Sequence, residues 1–195
     1  MRWDALFADL EAAAAGEWLR ERDAEIAERT RAEVARLRLV DRMRAYVDRR
    51  QPGATAELAV RVTAAGVLRG ELSRVADQWF LLVTPTHEWV VSVDAVVGIT
   101  GLPAAARPPD SQGTVSRALG WSAAWRVLAR DRTAVHVIRR DGSTVVGTPG
   151  RVGQDFVEIG DVEGGAATGW SGPAGNEVVP HAAVAAVRCP REIMP

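Results

Sequence analysis

Residues 147–159 read GTPGRVGQDFVEI, and residues 70–82 read GELSRVADQWFLL. Aligned without gaps, Gly70 meets Gly147, Arg74 meets Arg151, Val75 meets Val152, Trp79 meets Phe156 and Leu82 meets Ile159. A second ungapped match joins VVSVDAVVGI (90–99) to VVPHAAVAAV (178–187), with Val90 on Val178, Val91 on Val179, Val96 on Val184 and Ile99 on Val187. The chain is an internal duplication, and each copy reads as a helix followed by five short strands.

In the first copy the strand signals are LAVRVTA, GVLRGELSRV, QWFLLVT, EWVVSV and AVVGI. In the second, TVSRALGWSAAWRVLARDR is helical in pattern, with Trp121 four residues before Trp125. Then come TAVHVIRR, a two-residue hairpin turn at Asp141-Gly142, STVVGTPGRV and QDFVEIG. The Gly-rich loop EGGAATGWSGPAGN separates these from EVVPHAAVAAVRC. Gly70 and Gly147 fall inside long second strands, where a missing side chain permits the bend that closes a small barrel. Trp79 with Phe156 and Leu82 with Ile159 then supply the barrel cores. The expected fold is mainly β with α: a long N-terminal helix, then two tandem, small, strongly bent five-stranded antiparallel barrels, the second with its own helix. The boundaries are a helical segment over 1–50, a first barrel over 54–101, a Pro-rich linker over 102–113, and helix plus barrel over 114–190.

At the N-terminus, Trp3, Leu6, Phe7 and Leu10 share one helical face, and Gly16 predicts a stop. A second helix is predicted from Glu17 to Arg49, before Gln51-Pro52-Gly53. Its stripe is thin (Leu19, Ile26, Val34, Leu37, Val40, Met43, Val47), and its charges run from acidic to arginine-rich, which suits the helix dipole. Such a helix is expected to lie on the barrels or on a second chain.

The 195 residues carry a net charge of −1, so no global field draws the protein to nucleic acid or membrane. All 24 basic residues are arginine, which excludes Schiff-base, Walker-lysine and Ser–Lys chemistry. One cysteine, Cys189, gives neither a disulfide framework nor a cysteine-rich metal site. The opening MRWDALFADLEAAAAG has no apolar core of a signal peptide, and no apolar run spans a bilayer. These features predict a soluble cytoplasmic protein with no membrane partner.

The two units resemble Sm-like (LSm/Hfq-type) barrels of the SH3-like class. The resemblance is carried by the helix before five strands, the glycine in the bent second strand and the near-fusion of strands four and five. Residues Gly147 to Phe156 are similar to the family's first motif. The tandem arrangement behind a helical N-terminus is similar to two-barrel proteins of GC-rich Gram-positive bacteria. The resemblance implies assembly by pairing the fourth and fifth strands across subunits, which two copies in one chain would satisfy partly within themselves. It does not imply the family's uridine pocket. Asp155 matches the motif's Asp, but no Asn follows it, and the second motif reads Ser92-Val93-Asp94-Ala95 and Pro180-His181-Ala182-Ala183 with no Arg-Gly.

No catalytic set emerges. His87, His136 and His181 lack metal-ligand spacing. Ser171 in Gly169-Trp170-Ser171-Gly172-Pro173 has proline where a nucleophile elbow needs glycine. The glycines at 142, 147, 150, 153 and 160 precede no helix and serve turns and bends. The expected function is a non-enzymatic interaction or scaffolding module without cofactor or metal. It is expected to self-associate or take a protein partner through the N-terminal helix, with Trp89, Trp170, Arg42 and Arg49 as contact candidates. The alternative is an RNA- or DNA-binding regulator. Its candidate contacts are Arg126, Arg130, Arg132, Arg139, Arg140 and Arg151, since arginine suits bidentate phosphate contacts.

Overall fold

A computed structural model describes residues 2–49, 57–106, 119–160 and 176–191, apart from the side chains of 2–6, 8–10 and 12–14. Two helices come first, α1 (Arg2–Ala35) and α2 (Leu39–Arg49). Ten strands follow: β1 (Leu58–Val62), β2 (Gly66–Val75), β3 (Trp79–Val83), β4 (His87–Ser92), β5 (Val96–Thr100), β6 (Val135–Arg139), β7 (Thr144–Val152), β8 (Phe156–Gly160), β9 (Glu177–Pro180) and β10 (Val184–Pro190). Helix α3 (Trp121–Arg130) lies between β5 and β6. The strands form one antiparallel sheet in the order β5-β1-β2-β3-β4-β10-β6-β7-β8-β9. The chain divides into two compact units, residues 1–38 and 39–195. The predicted Gln51-Pro52-Gly53 stop, linker residues 107–113 and the loop holding Trp170 and Ser171 lie outside the described residues.

The helix boundaries differ from those expected. Gly16 does not stop α1, because a lone helix glycine costs about 1 kcal/mol and strong helix formers flank this one. The break falls instead after Ala35. There the N–H groups of Arg36 and Leu37 bond back only three residues, to the carbonyls of Glu33 and Val34 at 3.1 Å, tightening the last turn. Every α1 side chain from Glu17 to Ala35 is exposed, whereas α2 buries Val40, Met43 and Ala45. Arg44, which sequence places in the basic stretch, is itself buried. It reaches Asp77 at 2.8 Å and Asp41 at 3.8 Å, and Nε donates to the Val75 carbonyl at 3.4 Å. These bonds fasten α2 to the end of β2.

The duplication recurs in the hydrogen bonding. Within each copy the strand order is five-one-two-three-four: β5-β1-β2-β3-β4, then β10-β6-β7-β8-β9. The ladder irregularity between Leu72 and Arg74 on β2 recurs between Pro149 and Val152 on β7. The irregularity where Val96 meets Val62 recurs where Val184 meets Arg139. Each fourth strand passes into the fifth through one 3-10 turn, Val93–Ala95 and His181–Ala183. Gly70 and Gly147 have the same cause. A Cβ on Gly70 would lie 2.6 Å from the Val83 carbonyl oxygen, and one on Gly147 would collide with that of Gly160. The third strand's backbone passes so close to the second that no side chain fits.

Leu82 and Ile159 are buried as expected, but Trp79 and Phe156 are only half-buried. Trp79 and Leu82 are three residues apart, so on a strand of period two they face opposite sides. Phe80 and Val157 take the core positions. Two clusters form. One gathers residues such as Met43, Leu58, Phe80, Leu82 and Val91, with Ala185 and Ala186 from the second copy. The other gathers Trp121, Trp125, Val137, Ile159 and Val184, with Val90 from the first. Each copy lends residues to the other's core. Among the described residues no ladder closes a barrel, because β4 pairs with β10 and not with β5.

Replacing Gly147 by alanine is expected to lower stability by about 2 kcal/mol or more, the scale of an overpacked core. Gly98→Ala, where nothing lies within 4 Å of the added Cβ, is expected to change it by less than about 0.5 kcal/mol. Urea denaturation of both variants checks this, and equal midpoints would refute the close-approach account.

Candidate functional site

The feature that sets the surface of this protein is the seam between copies. β10 carries a near-continuous apolar run, the pattern of a strand covered on both faces, and β4 contributes Trp89-Val90-Val91 opposite it. They pair antiparallel with Ala186 opposite Val91, Val187 opposite Val90, Arg188 opposite Trp89 and Cys189 opposite Glu88. Val90, Val91, Ala185, Ala186 and Val187 are all buried there. The two strands left at the ends of the order are β5 and β9. They are the repeat equivalents of β10 and β4. Val97 stands where the seam has Ala185, and Val178 where it has Val90. At the seam these positions are 0% and 7% exposed, and at the free ends 64% and 56%.

The six arginines considered for phosphate contacts are largely engaged within the chain. Arg139 pairs with Glu177 at 2.8 Å, Arg151 with Glu158 at 3.0 Å and Arg130 with Asp131 at 3.0 Å. Arg140 donates to Ser92 Oγ at 3.2 Å and lies 3.8 Å from Asp94. Arg126 and Arg132 are exposed. Two of these pairings link residues distant in sequence (139 to 177, 140 to 92), so the sequence run of arginines does not reveal them.

Of the residues considered for protein contacts, Trp89 is half-buried against the first core cluster. Arg42 holds the chain beyond β5, donating to the Leu102 carbonyl at 3.2 Å and the Pro103 carbonyl at 2.8 Å. Arg49 is exposed. On α1, Trp18, Leu19, Ile26 and Val34 are all exposed large apolar side chains, and Arg22 stacks over Trp18 at 5.5 Å.

The titratable groups are structural in setting. His136 Nδ1 accepts from Arg188 Nη2 at 2.9 Å, which requires a neutral ring. Burial, then the Arg188 charge, lowers its pKa below 6.5. His181 is also lowered, chiefly by burial, against the opposing pull of the Phe156 backbone and Asp155. Cys189 is buried and its thiol is pushed up to about 12, first by desolvation and then by Glu88, so it is no nucleophile at neutral pH. Among the described residues no group of three or more His, Cys, Asp or Glu is placed to hold a metal ion, and no helix is long and apolar enough to cross a membrane. The sequence matches no protein-family model and no curated protein.

Both histidines resist protonation in the folded state, so the unfolded chain binds more protons below pH 6.5. Their contribution to stability is complete above that value and is lost as the pH falls. The urea midpoint is expected to drop between pH 7 and pH 5.5, and to drop less in the His136→Gln/His181→Gln double variant. An unchanged slope in that variant would refute the assignment.

Proposed function

We propose that this chain is a non-enzymatic, cytoplasmic interaction module made of two fused Sm-like, SH3-like barrel units, and that it binds further copies of itself through its end strands. The matched strand order, ladder irregularities and 3-10 turns of the copies support the Sm-like reading. The observation that carries the self-association is the mismatch between seam and ends: Val97 and Val178 are exposed where their equivalents are buried. Among the described residues no strand pairs with the outer edge of β5 or β9, and such an edge with apolar side chains beside it is a template for another strand. Transferring the seam register outward pairs Gly98 with Val179, Ile99 with Val178 and Thr100 with Glu177 of a second chain. That contact joins unlike surfaces, so it propagates head to tail into a ring or an open chain. The exposed side chains of α1 offer a second surface for a protein partner or for self-association. Nucleic-acid binding, the alternative, is weakened by the carboxylates that engage four of the six arginines.

Sedimentation velocity on the full chain is expected to show species larger than a monomer that grow with concentration. Val97→Asp and Val178→Asp, both at exposed sites, should each give a folded monomer by circular dichroism. Mixing the two variants should restore a dimer, because each retains the edge the other has lost. A wild type that stays monomeric at about 100 μM, or variants that still assemble, would overturn the edge reading. Assembly lost only on shortening α1 would point to the helix instead.

A further inference from the structure

The seam joins more than two strands. The turn between β2 and β3 belongs to the first copy, and it holds the start of the second copy's helix, α3. Gln78 Oε1 accepts from Trp121 N–H at 3.2 Å, and Trp79 Nε1 donates to the Gly120 carbonyl at 3.2 Å. Gly120 caps α3 without a side chain, so Gln78 supplies an acceptor that the helix start lacks.

The parts of this contact recur at the far side of the chain. Each helix packs on the second strand of its own copy, α2 on β2 and α3 on β7. Leu39 opens α2 as Trp121 opens α3, and four residues on, Met43 and Trp125 are both fully buried. The two helix starts are thus equivalent, yet Trp121 is 5% exposed and Leu39 37%. The turn between β7 and β8 carries Asp155 in the place of Gln78 and Phe156 in the place of Trp79. Its backbone role is the same. The Gln78 carbonyl accepts from Val93 N–H at 3.0 Å, and the Asp155 carbonyl from His181 N–H at 2.7 Å. Gln78 and Asp155 both line a cavity of about 500 Å³ beside the seam, walled by the two copies. Helix α3 bonds its own turn just before Asp155, through Ser122 Oγ to the carbonyls of Gly153 at 3.2 Å and Gln154 at 3.0 Å. Asp155 itself is exposed.

We propose that Asp155 and Phe156 of one chain receive the start of α2 of the next, as Gln78 and Trp79 receive α3. This contact depends on the head-to-tail pairing of β9 with β5, which places the two elements as the seam places theirs. Asp155 accepts from the first N–H groups of α2, and Phe156 covers Leu39. Phenylalanine has no indole N–H, so that side of the contact is apolar. The exchange of glutamine for aspartate strengthens the other side. A carboxylate makes charge-assisted hydrogen bonds, about twice as strong as neutral ones, and it complements the positive end of a helix. Arg36 and Arg38, which lead into α2, add positive charge at that end. Within the chain a covalent link keeps α3 beside its cap. Between chains no link does, and the stronger acceptor stands where it is needed.

The heterodimer of Val97→Asp and Val178→Asp chains tests this, because it contains one such contact. The Val97→Asp chain supplies β9 and with it Asp155, and the Val178→Asp chain supplies β5 and with it α2. Adding Asp155→Arg to the Val97→Asp chain is expected to weaken the heterodimer about tenfold by sedimentation equilibrium. Adding Leu39→Gln to the Val178→Asp chain is expected to weaken it about fivefold. Moved to the opposite chains, the same substitutions fall at free ends and are expected to leave the dissociation constant unchanged. Urea midpoints check that each chain remains folded. A heterodimer indifferent to both substitutions, or equally weakened in either placement, refutes the helix contact and leaves the strand pairing standing. A mixture that stays monomeric refutes both.

Discussion

A strand edge is a row of N–H and C=O groups that water or another strand must satisfy, and each copy of this duplicated chain ends in two. The ladder between β4 and β10 satisfies one edge from each copy at once. Much of the second unit follows from that pairing. It joins ten strands into one sheet, sends Ala185 and Ala186 into the first core, and sends Val90 into the second. It also brings together the wall residues of the cavity beside it, which no single copy holds. The same ladder defines what is left over, namely β5 and β9 with their exposed valines.

The second constraint is the close passage of neighbouring strands at Gly70 and Gly147. Backbone oxygen occupies the space a Cβ would need at both sites. A bent strand next to a ladder irregularity can serve two partners, as β2 does, pairing β1 with its first half and β3 with its second. The chain meets this requirement twice, at the same place in each copy. The polar contacts differ by contrast: Val62 is buried where the second copy has Arg139, held by Glu177. The frame is shared, and the chemistry around it is particular to each copy.

Much of this was legible in the residues. Alternation and turn chemistry give the five strands of each copy. The ungapped matches give the duplication, and Asp141-Gly142 sits at the turn between β6 and β7 with Gly142 at φ 87°. Spacing misleads where it ignores period and propensity. Trp79 and Leu82 cannot share a strand face, and a lone Gly16 cannot outweigh the helix formers around it. The arginines were legible as a cluster in sequence but not as ion pairs, since Glu177, Glu158 and Asp94 come from other strands and turns. The unpartnered Nε2 of His181 had no signal at all in a sequence read one residue at a time.

By itself, then, the sequence determined the parts: the helices, two sets of five strands, the glycines at the bends and most of the apolar core positions. Local propensity and side-chain period are properties of neighbours along the chain, and they are written there. Only the tertiary structure decided that the fourth strand of one copy would pair with the fifth of the other. That choice is made by which edge finds a complementary edge in space, so the seam, the buried Arg44 and the walls of the cavity belong to the folded chain alone.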